Sequence, residues 1–322
     1  MSLLYVVVLG WHFVQVAIGF APKGAIGLLR ELTLYFFLPG PFLLLASLIC
    51  RARVASALAL VPLALFVLIY GPRFGPRNES VAAPNSFRVL TFNVGAEAGV
   101  TAPEAVLSIV QAADPDVVAF QELPDATRRQ IENALPDLPY RAATPDVATF
   151  SVYPLVDAAE FRLSRAAYSS QAVDILLDDR MVRLTNVHLL RTGPRISGQR
   201  TFAAFVRDYE PGLVENQVSE LIEQHVRPVN GSQVLTGDFN QTEWSASHAM
   251  IRGVLQDSFG EIGGGFGHTF PSRIHFGRLE LPLPLVRIDY VFHSEDLSAI
   301  NARIGPNAGS DHLPMLVDLV FR

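Results

Sequence analysis

Leu235-Thr236-Gly237-Asp238-Phe239-Asn240 reads as an apolar, strand-like run that ends in a glycine, a carboxylate and an amide. Five other stretches have the same form. In chain order they are Leu90-Thr91-Phe92-Asn93-Val94, Val118-Ala119-Phe120-Gln121-Glu122, Thr185-Asn186-Val187-His188-Leu189, Arg287-Ile288-Asp289-Tyr290-Val291-Phe292 and the turn Gly309-Ser310-Asp311-His312-Leu313-Pro314. The last sets a carboxylate beside an imidazole in a Gly/Ser turn closed by proline, an arrangement suited to phosphate-ester chemistry. Any one of these runs has an ordinary structural reading, such as a capped turn or a surface acid. Six in one chain, each with polar groups at a strand end, call for a common explanation.

Working outward, strands are expected at Arg88 to Asn93, Val117 to Gln121, Ala148 to Val152, Val173 to Leu177, Val182 to His188, Gln233 to Thr236, Ile288 to His293 and Met315 to Phe321. Thr101 and Pro103 mark a helix start, with Thr101 as its N-cap, and Asp114-Pro115 its end. Gly198 to Val226 is the best further helical region, with Phe202, Phe205, Val206, Val214, Val218, Leu221 and Ile222 on its apolar faces. Many strands with few helices between them imply sheets packed face to face and covered outside by helices.

The N-terminal part is different. The chain of 322 residues is 50% hydrophobic and only 17% charged, with a mean hydropathy of +0.29, which is too apolar for an ordinary soluble protein. The excess lies in residues 3–20, 32–49 and 54–70, each close to the ~20 residues a membrane-crossing helix needs. The organisation expected is therefore a transmembrane region over 1–70, a Gly/Pro/Asn-rich linker over 71–86 and a catalytic domain over 87–322. The single cysteine, Cys50, excludes an intrachain disulfide. A net charge of −6 argues against a protein that grips long nucleic acid by its overall field. Lys23, Arg30, Arg51, Arg53, Arg73 and Arg77 are distributed so that the positive-inside rule favours a cytoplasmic C-terminal domain.

From Phe87 to Arg322 these motifs, in this order, resemble the endonuclease/exonuclease/phosphatase family of metal-dependent phosphoesterases. The resemblance implies a four-layer α/β sandwich, two packed mixed sheets flanked by helices, with the site where strand ends and loops of both sheets meet. It implies Mg²⁺ or Mn²⁺ as cofactor, held by Glu122 with Asn93 and with Asp311 facing the metal or its waters, since these ions take oxygen donors. Relatives often carry an acid two positions after the asparagine; Gly95 stands there, which favours a single ion. Asp238, supported by Asn240, would align and deprotonate the attacking water. His312, with Asp289 fixing its tautomer, is the other candidate base, or a protonated group that stabilises charge on the phosphate. The sequence leaves that choice open. His188 would contact the phosphate, with Asn186 and Arg191 on the substrate side.

The layout of membrane helices followed by such a domain is similar to membrane-anchored glycopeptide-resistance proteins of actinomycetes, which implies a multi-pass inner-membrane protein with its catalytic domain outside, against the charge pattern. The function expected is hydrolysis of a membrane-proximal phosphoester or pyrophosphate, lipid-linked ones included. The apolar segment Phe276 to Leu285 suits contact with such a membrane surface. Two alternatives stand beside it. One is a tethered nuclease using Arg191, Arg195 and Arg200 on a polynucleotide, which is not favoured; the other is an inactive membrane-bound binding module. No protein partner is evident.

Overall fold

A computed structural model describes residues 1–19, 23–75, 85–96, 99–191, 206, 209–276 and 279–322. Its strands, in chain order, are β1 (Ser86–Asn93), β2 (Gly95–Ala96), β3 (Gly99–Val100), β4 (Val117–Gln121), β5 (Tyr140–Ala143), β6 (Val147–Ser151), β7 (Leu155–Phe161) and β8 (Ser170–Leu177). They continue with β9 (Arg180–His188), β10 (Ser232–Asp238), β11 (Gln256–Asp257), β12 (Ile274–Phe276), β13 (Leu279–Leu281), β14 (Asp289–His293), β15 (Leu297–Ile304) and β16 (Met315–Phe321). One six-stranded sheet has the order β15-β16-β1-β4-β6-β5, the other β11-β14-β10-β9-β8-β7. Both are mixed. β1 runs parallel to β4 and antiparallel to β16; β10 runs parallel to β9 and antiparallel to β14.

Side-chain alternation explains the layers. In β1, Phe87 and Val89 enter a cluster with Val173, Ile175, Leu184, Val234 and Val291 of the opposite sheet, while Leu90 and Phe92 point the other way. A strand with period two buried on both faces can only sit between two apolar layers. The outer layer of the first sheet is made by α5 (Pro103–Ala113) and α6 (Asp125–Ala134), through Val106, Ile109, Val110 and Ile131. The outer layer of the second is made by α7 (Gly212–Leu221) and α8 (Ala246–Arg252), through Val214, Val218, Leu221 and Ile251. The result is the expected α/β sandwich. The expected cap does differ: the N-cap of α5 is Ala102, and Thr101 is buried with no partner for its hydroxyl among the described residues, because Pro103 at the first helical turn already fixes the chain's entry. The first half of the expected helix at 198–226, with Arg195 and Arg200, lies outside the described residues, as does most of the linker.

The N-terminal stretches form α1 (Ser2–Ala17), α2 (Gly24–Glu31), α3 (Pro39–Ile49) and α4 (Arg53–Tyr70). Three membrane spans are not supported. Among the described residues one helical run, Arg53–Phe74 of 22 residues and mean hydropathy 2.3, is long and apolar enough to cross a membrane. The run around α1 is 16 residues long. The middle stretch, Thr33–Ile49, is set at 83° to the helix Gly24–Glu31 that precedes it, and only the two together reach the length of a span. Around that bend the chain tightens into a 3₁₀ turn over Thr33–Phe37, and Pro39 and Pro41 open the next helix at its start, where proline is tolerated.

These helices are bonded to the sandwich at several places, among them Gly24 N–H to the Tyr209 carbonyl, the Tyr35 hydroxyl to the Leu285 carbonyl and, most densely, the segment just after Asn240. Glu31 Oε2 accepts from Thr242 N–H at 2.8 Å and from its hydroxyl at 2.7 Å. Arg30 Nε donates to the Trp244 carbonyl at 2.7 Å, and the Trp244 indole donates to the Tyr70 hydroxyl at 3.0 Å. Arg73 pairs with Glu243 at 2.9 Å, and Glu243 is in turn 3.1 Å from the buried Arg287. Leu9, Phe37, Phe66 and Tyr70 pack with Trp244 and Phe266 into one apolar cluster across the junction.

Candidate active site

Strand register alone gathers the polar strand ends. Asn93 lies opposite Gln121 across β1 and β4; Asp238 lies opposite His188 across β9 and β10, and opposite Asp289 across β10 and β14. One end of both sheets therefore carries Asn93, Glu122, His188, Asp238 and Asp289. The close approach depends on Gly237, at φ +136°, where a Cβ would lie 1.9 Å from the Val187 carbonyl oxygen. No side chain fits there, so the residue before Asp238 must be glycine.

Around Asp238 the site is buried and tightly bonded. Its Oδ1 accepts from Asn240 N–H at 2.8 Å and its Oδ2 from Asn93 Nδ2 at 3.0 Å. His312 Nδ1 is 2.9 Å from Asp289 Oδ2, which leaves Nε2 facing Asp238 at 3.7 Å. The turn that delivers His312 is fixed by Ser310, whose hydroxyl lies 2.7 Å from the carbonyls of both Asn93 and Gly95 and accepts from His312 N–H. Burial opposes charge on His312, but Asp289 and Asp238 outweigh it and push the imidazole up to about 10. Burial pushes Asp238 up to about 7, with Asp289 adding to the rise, while His312, Asn240 and Asn93 hold it back. The physical content is one proton-rich cluster in which imidazolium and carboxylate support each other.

Around Glu122 the site is open. Glu122 sits just beyond β4 at φ +54°, a left-handed conformation unusual for glutamate. Its side chain is 40% exposed. Its Oε1 is 3.4 Å from Asn93 Nδ2 and 3.6 Å from His188 Nε2, and no Lys or Arg pairs with it among the described residues. Gly95 makes the room: a Cβ there would fall 2.5 Å from Glu122 Oε2. A carboxylate and an amide at a cleft edge, with no Lys or Arg to neutralise them among the described residues, suit a hard divalent cation. Asn93 presents its amide nitrogen to Glu122, its oxygen accepting from Gly95 N–H at 2.9 Å, so it would ligate only after turning its amide. Asp238, Asp289 and His312 also bring ligand atoms within 4.8 Å of one another and could hold an ion by geometry, and Asp289 Oδ1 has no hydrogen-bond partner among the described residues.

His188 bridges the two halves, 3.5 Å from Asp238 and 3.6 Å from Glu122. Asn186, expected on the substrate side, is buried: its Nδ2 donates to the Phe120 and Ala148 carbonyls and its Oδ1 accepts from Gln121, so it bolts one sheet to the other. Asp311 is on the His312 turn, its backbone tied to Gly95 and Ser272; its carboxylate makes no hydrogen bond or ion pair among the described residues but acts electrostatically on His312. Arg191 lies at the rim, its guanidinium 5.7 Å from the Phe270 ring centre. Two aromatic residues not expected from the sequence close the site. Tyr168 stacks on His188 at 3.8 Å and 10°, and the Phe270 ring is 4.8 Å from that of His312. Neither belongs to a spaced motif, so only the fold brings them in.

The model of the Endonuclease/Exonuclease/phosphatase family matches residues 90–312, and the chain belongs to that family. No curated protein matches it in sequence. Among solved structures it is similar to an endonuclease/exonuclease/phosphatase from Bacteroides vulgatus, at 18% identity and a TM-score of 0.57 over 74% of this chain and 100% of that one. It is also similar to the human nocturnin catalytic domain, at 18% identity and 0.54 over 74% and 94%. Sphingomyelinase C from Streptomyces griseocarneus aligns at 16% identity and 0.51 over 73% and 99%. At these identities the likeness is one of fold.

Proposed function

We propose that this member of the family is a membrane-associated, Mg²⁺- or Mn²⁺-dependent phosphoesterase that hydrolyses a membrane-proximal phosphoester or pyrophosphate by direct attack of water. The observation that carries the reading is the pairing of a buried Asp238–Asp289–His312 cluster with an open Glu122–Asn93 edge across one cleft. Glu122 would hold the cation, with Asn93 supporting the Glu122 carboxylate through its amide nitrogen. When bound, it supplies charge to the phosphoryl oxygens and a fixed position for the phosphate.

The remaining steps belong to the protein. Asp238, held by Asn240 and Asn93, orients the water and takes its proton; a carboxylate pushed up to about 7 is a better base than an ordinary one. His312, pushed up to about 10, is an imidazolium near neutral pH and stabilises the charge that grows on the phosphate, while Asp289 fixes its ring. The sequence left the base open between Asp238 and His312; these opposite protonation states favour Asp238. His188, oriented by Tyr168, lies where it can donate to a phosphoryl oxygen between the metal edge and Asp238.

Membrane association is supported by the apolar run Arg53–Phe74 and by the exposed Leu3, Leu4, Trp11, Phe42, Leu45 and Leu68 on the N-terminal helices. We place the catalytic part outside the inner membrane, a sidedness that protease accessibility in intact cells against opened vesicles tests. The decisive experiment is a panel of bis-p-nitrophenyl phosphate, single-stranded DNA and a lipid pyrophosphate, with Mg²⁺ and with EDTA. Turnover of the lipid substrate that EDTA removes is the expected result. Preferred cleavage of DNA would make the chain a tethered nuclease, and no turnover of any phosphoester a binding module.

A further inference from the structure

We infer that the groove between the N-terminal helices and residues 266–268 and 283–285 is a binding site for the hydrocarbon chain of an amphiphilic phosphate substrate, whose headgroup then reaches His312. The inference rests on the phosphoesterase reading of the catalytic cleft and adds to it the substrate's apolar half. The groove has a volume of about 690 Å³ and is lined by Leu38, Leu63, Phe66, Leu283 and Leu313 among others. That volume falls within the ~300–1,000 Å³ typical of small-ligand sites.

Three observations point to hydrocarbon as the occupant. First, polar atoms in the lining are engaged by backbone: the Tyr35 hydroxyl donates to the Leu285 carbonyl at 2.7 Å, and His268 Nδ1 is 3.0 Å from the Pro284 carbonyl. A sugar, base or peptide placed there would lose hydrogen bonds to water without replacement, whereas an alkyl or prenyl chain loses none. Second, the mouth is continuous with apolar surface. Leu38 is 59% and Leu283 52% exposed, and Phe42, one helical turn beyond Leu38, is 72% exposed. A chain leaving a bilayer would enter there without crossing a polar rim. Third, the lining includes Leu313, the residue after His312, and Leu313 N–H is bonded to the Thr269 carbonyl beside Phe270. Apolar groove and polar cleft thus meet within one residue, the division of an amphiphile with a phosphate head.

The test uses the full chain with Mg²⁺ and a series of p-nitrophenyl alkyl phosphates from butyl to hexadecyl, kept below their aggregation concentrations, with farnesyl pyrophosphate as a prenyl arm and bis-p-nitrophenyl phosphate as the soluble reference. The expected result is a rise in kcat/KM of up to about fourfold for each methylene the groove buries, levelling off once it is full. Leu38→Trp, which plugs the mouth, is expected to lower the hexadecyl-to-reference ratio about tenfold or more, and Leu283→Trp to do the same from the opposite wall. A steep rise with farnesyl pyrophosphate alone identifies a prenyl chain, and with the alkyl series an acyl-like one; either supports the site. A chain-length series that is flat, or that keeps its slope in both tryptophan variants, overturns the inference while leaving the phosphoesterase reading intact. Failure to hydrolyse any of these substrates, the soluble reference included, overturns both.

Discussion

The two halves of the cleft are built on opposite rules. The Asp238–Asp289–His312 half is buried, with Asp238 and His312 each held by hydrogen bonds and their charges compensated within the protein. The Glu122–Asn93 half leaves a carboxylate 40% exposed, on strained backbone, with His188 at 3.6 Å but no Lys or Arg paired with it among the described residues. A cleft with one half organised by internal hydrogen bonds and an open carboxylate in the other fits the proposed cation site at Glu122, with the proton inventory ready before substrate arrives. His188 and Asn93 touch both halves. They are where the two can be coupled or separated.

The sharpest break is His312→Ala, which leaves Asp289 and Asp238 as uncompensated buried carboxylates. Turnover should fall on the order of 10³-fold, judged by the cost of removing a preorganised charge-stabilising donor, and a steady-state assay beside a thermal melt checks that the loss is catalytic. Glu122→Gln should act differently. The buried half stays intact, so activity should return as Mg²⁺ is raised, with the half-saturating concentration up about 10- to 100-fold. If excess Mg²⁺ restores nothing, Glu122 does more than hold the ion.

The coupling is visible in pH dependence. The active state needs Asp238 ionised and His312 protonated, so kcat/KM should be bell-shaped, with limbs near 7 and 10 that belong to the pair. Bound metal should draw the acid limb lower. Asn93→Ala removes a hydrogen bond to ionised Asp238 and should raise the acid limb about one unit at saturating Mg²⁺, the equivalent of ~1.4 kcal/mol. Stability carries the opposite slope. Both groups are raised above their ordinary values of 3.8 and 6.5, so each favours the folded, protonated form. Their contribution is full at low pH and is lost as pH climbs, through about 7 for Asp238 and about 10 for His312. Metal-free protein should therefore lose melting temperature over the range in which it gains activity. The smallest effect is expected for Tyr168→Leu, which removes the ring stacked on His188; a contact of this kind is worth ~0.5–1.5 kcal/mol, or about two- to tenfold in kcat/KM.

The strands that end in chemistry were legible because burial on both faces makes a continuous apolar run, and a polar residue closing such a run stands out. β1, β4, β9, β10 and β14 are of this kind. Edge strands carry no such mark: β7, with five consecutive exposed residues, has neither an apolar run nor clean alternation. Residue type also concealed role. Asn186 stands two residues before a site histidine, and only the facing sheet reveals that its amide is spent on Gln121, Phe120 and Ala148. At the N-terminus, hydropathy marked three apolar stretches but could not register the 83° bend between Gly24–Glu31 and the middle one, because bending depends on φ and ψ at Leu32 rather than on polarity.

The bonds from Glu31 and Arg30 to Thr242 and Trp244 make the composition boundary near residue 86 a poor place to cut. The peptide segment they hold begins two residues after Asn240, whose N–H anchors Asp238. Shortening the chain to its soluble-looking part would leave Thr242 without its acceptor and bare the Trp244 and Phe266 rings that Tyr70 now covers. Purification of residues 87–322 alone would then yield an enzyme whose catalytic loop had lost its scaffold, and a weak activity measured on it would report the excision rather than the native chemistry.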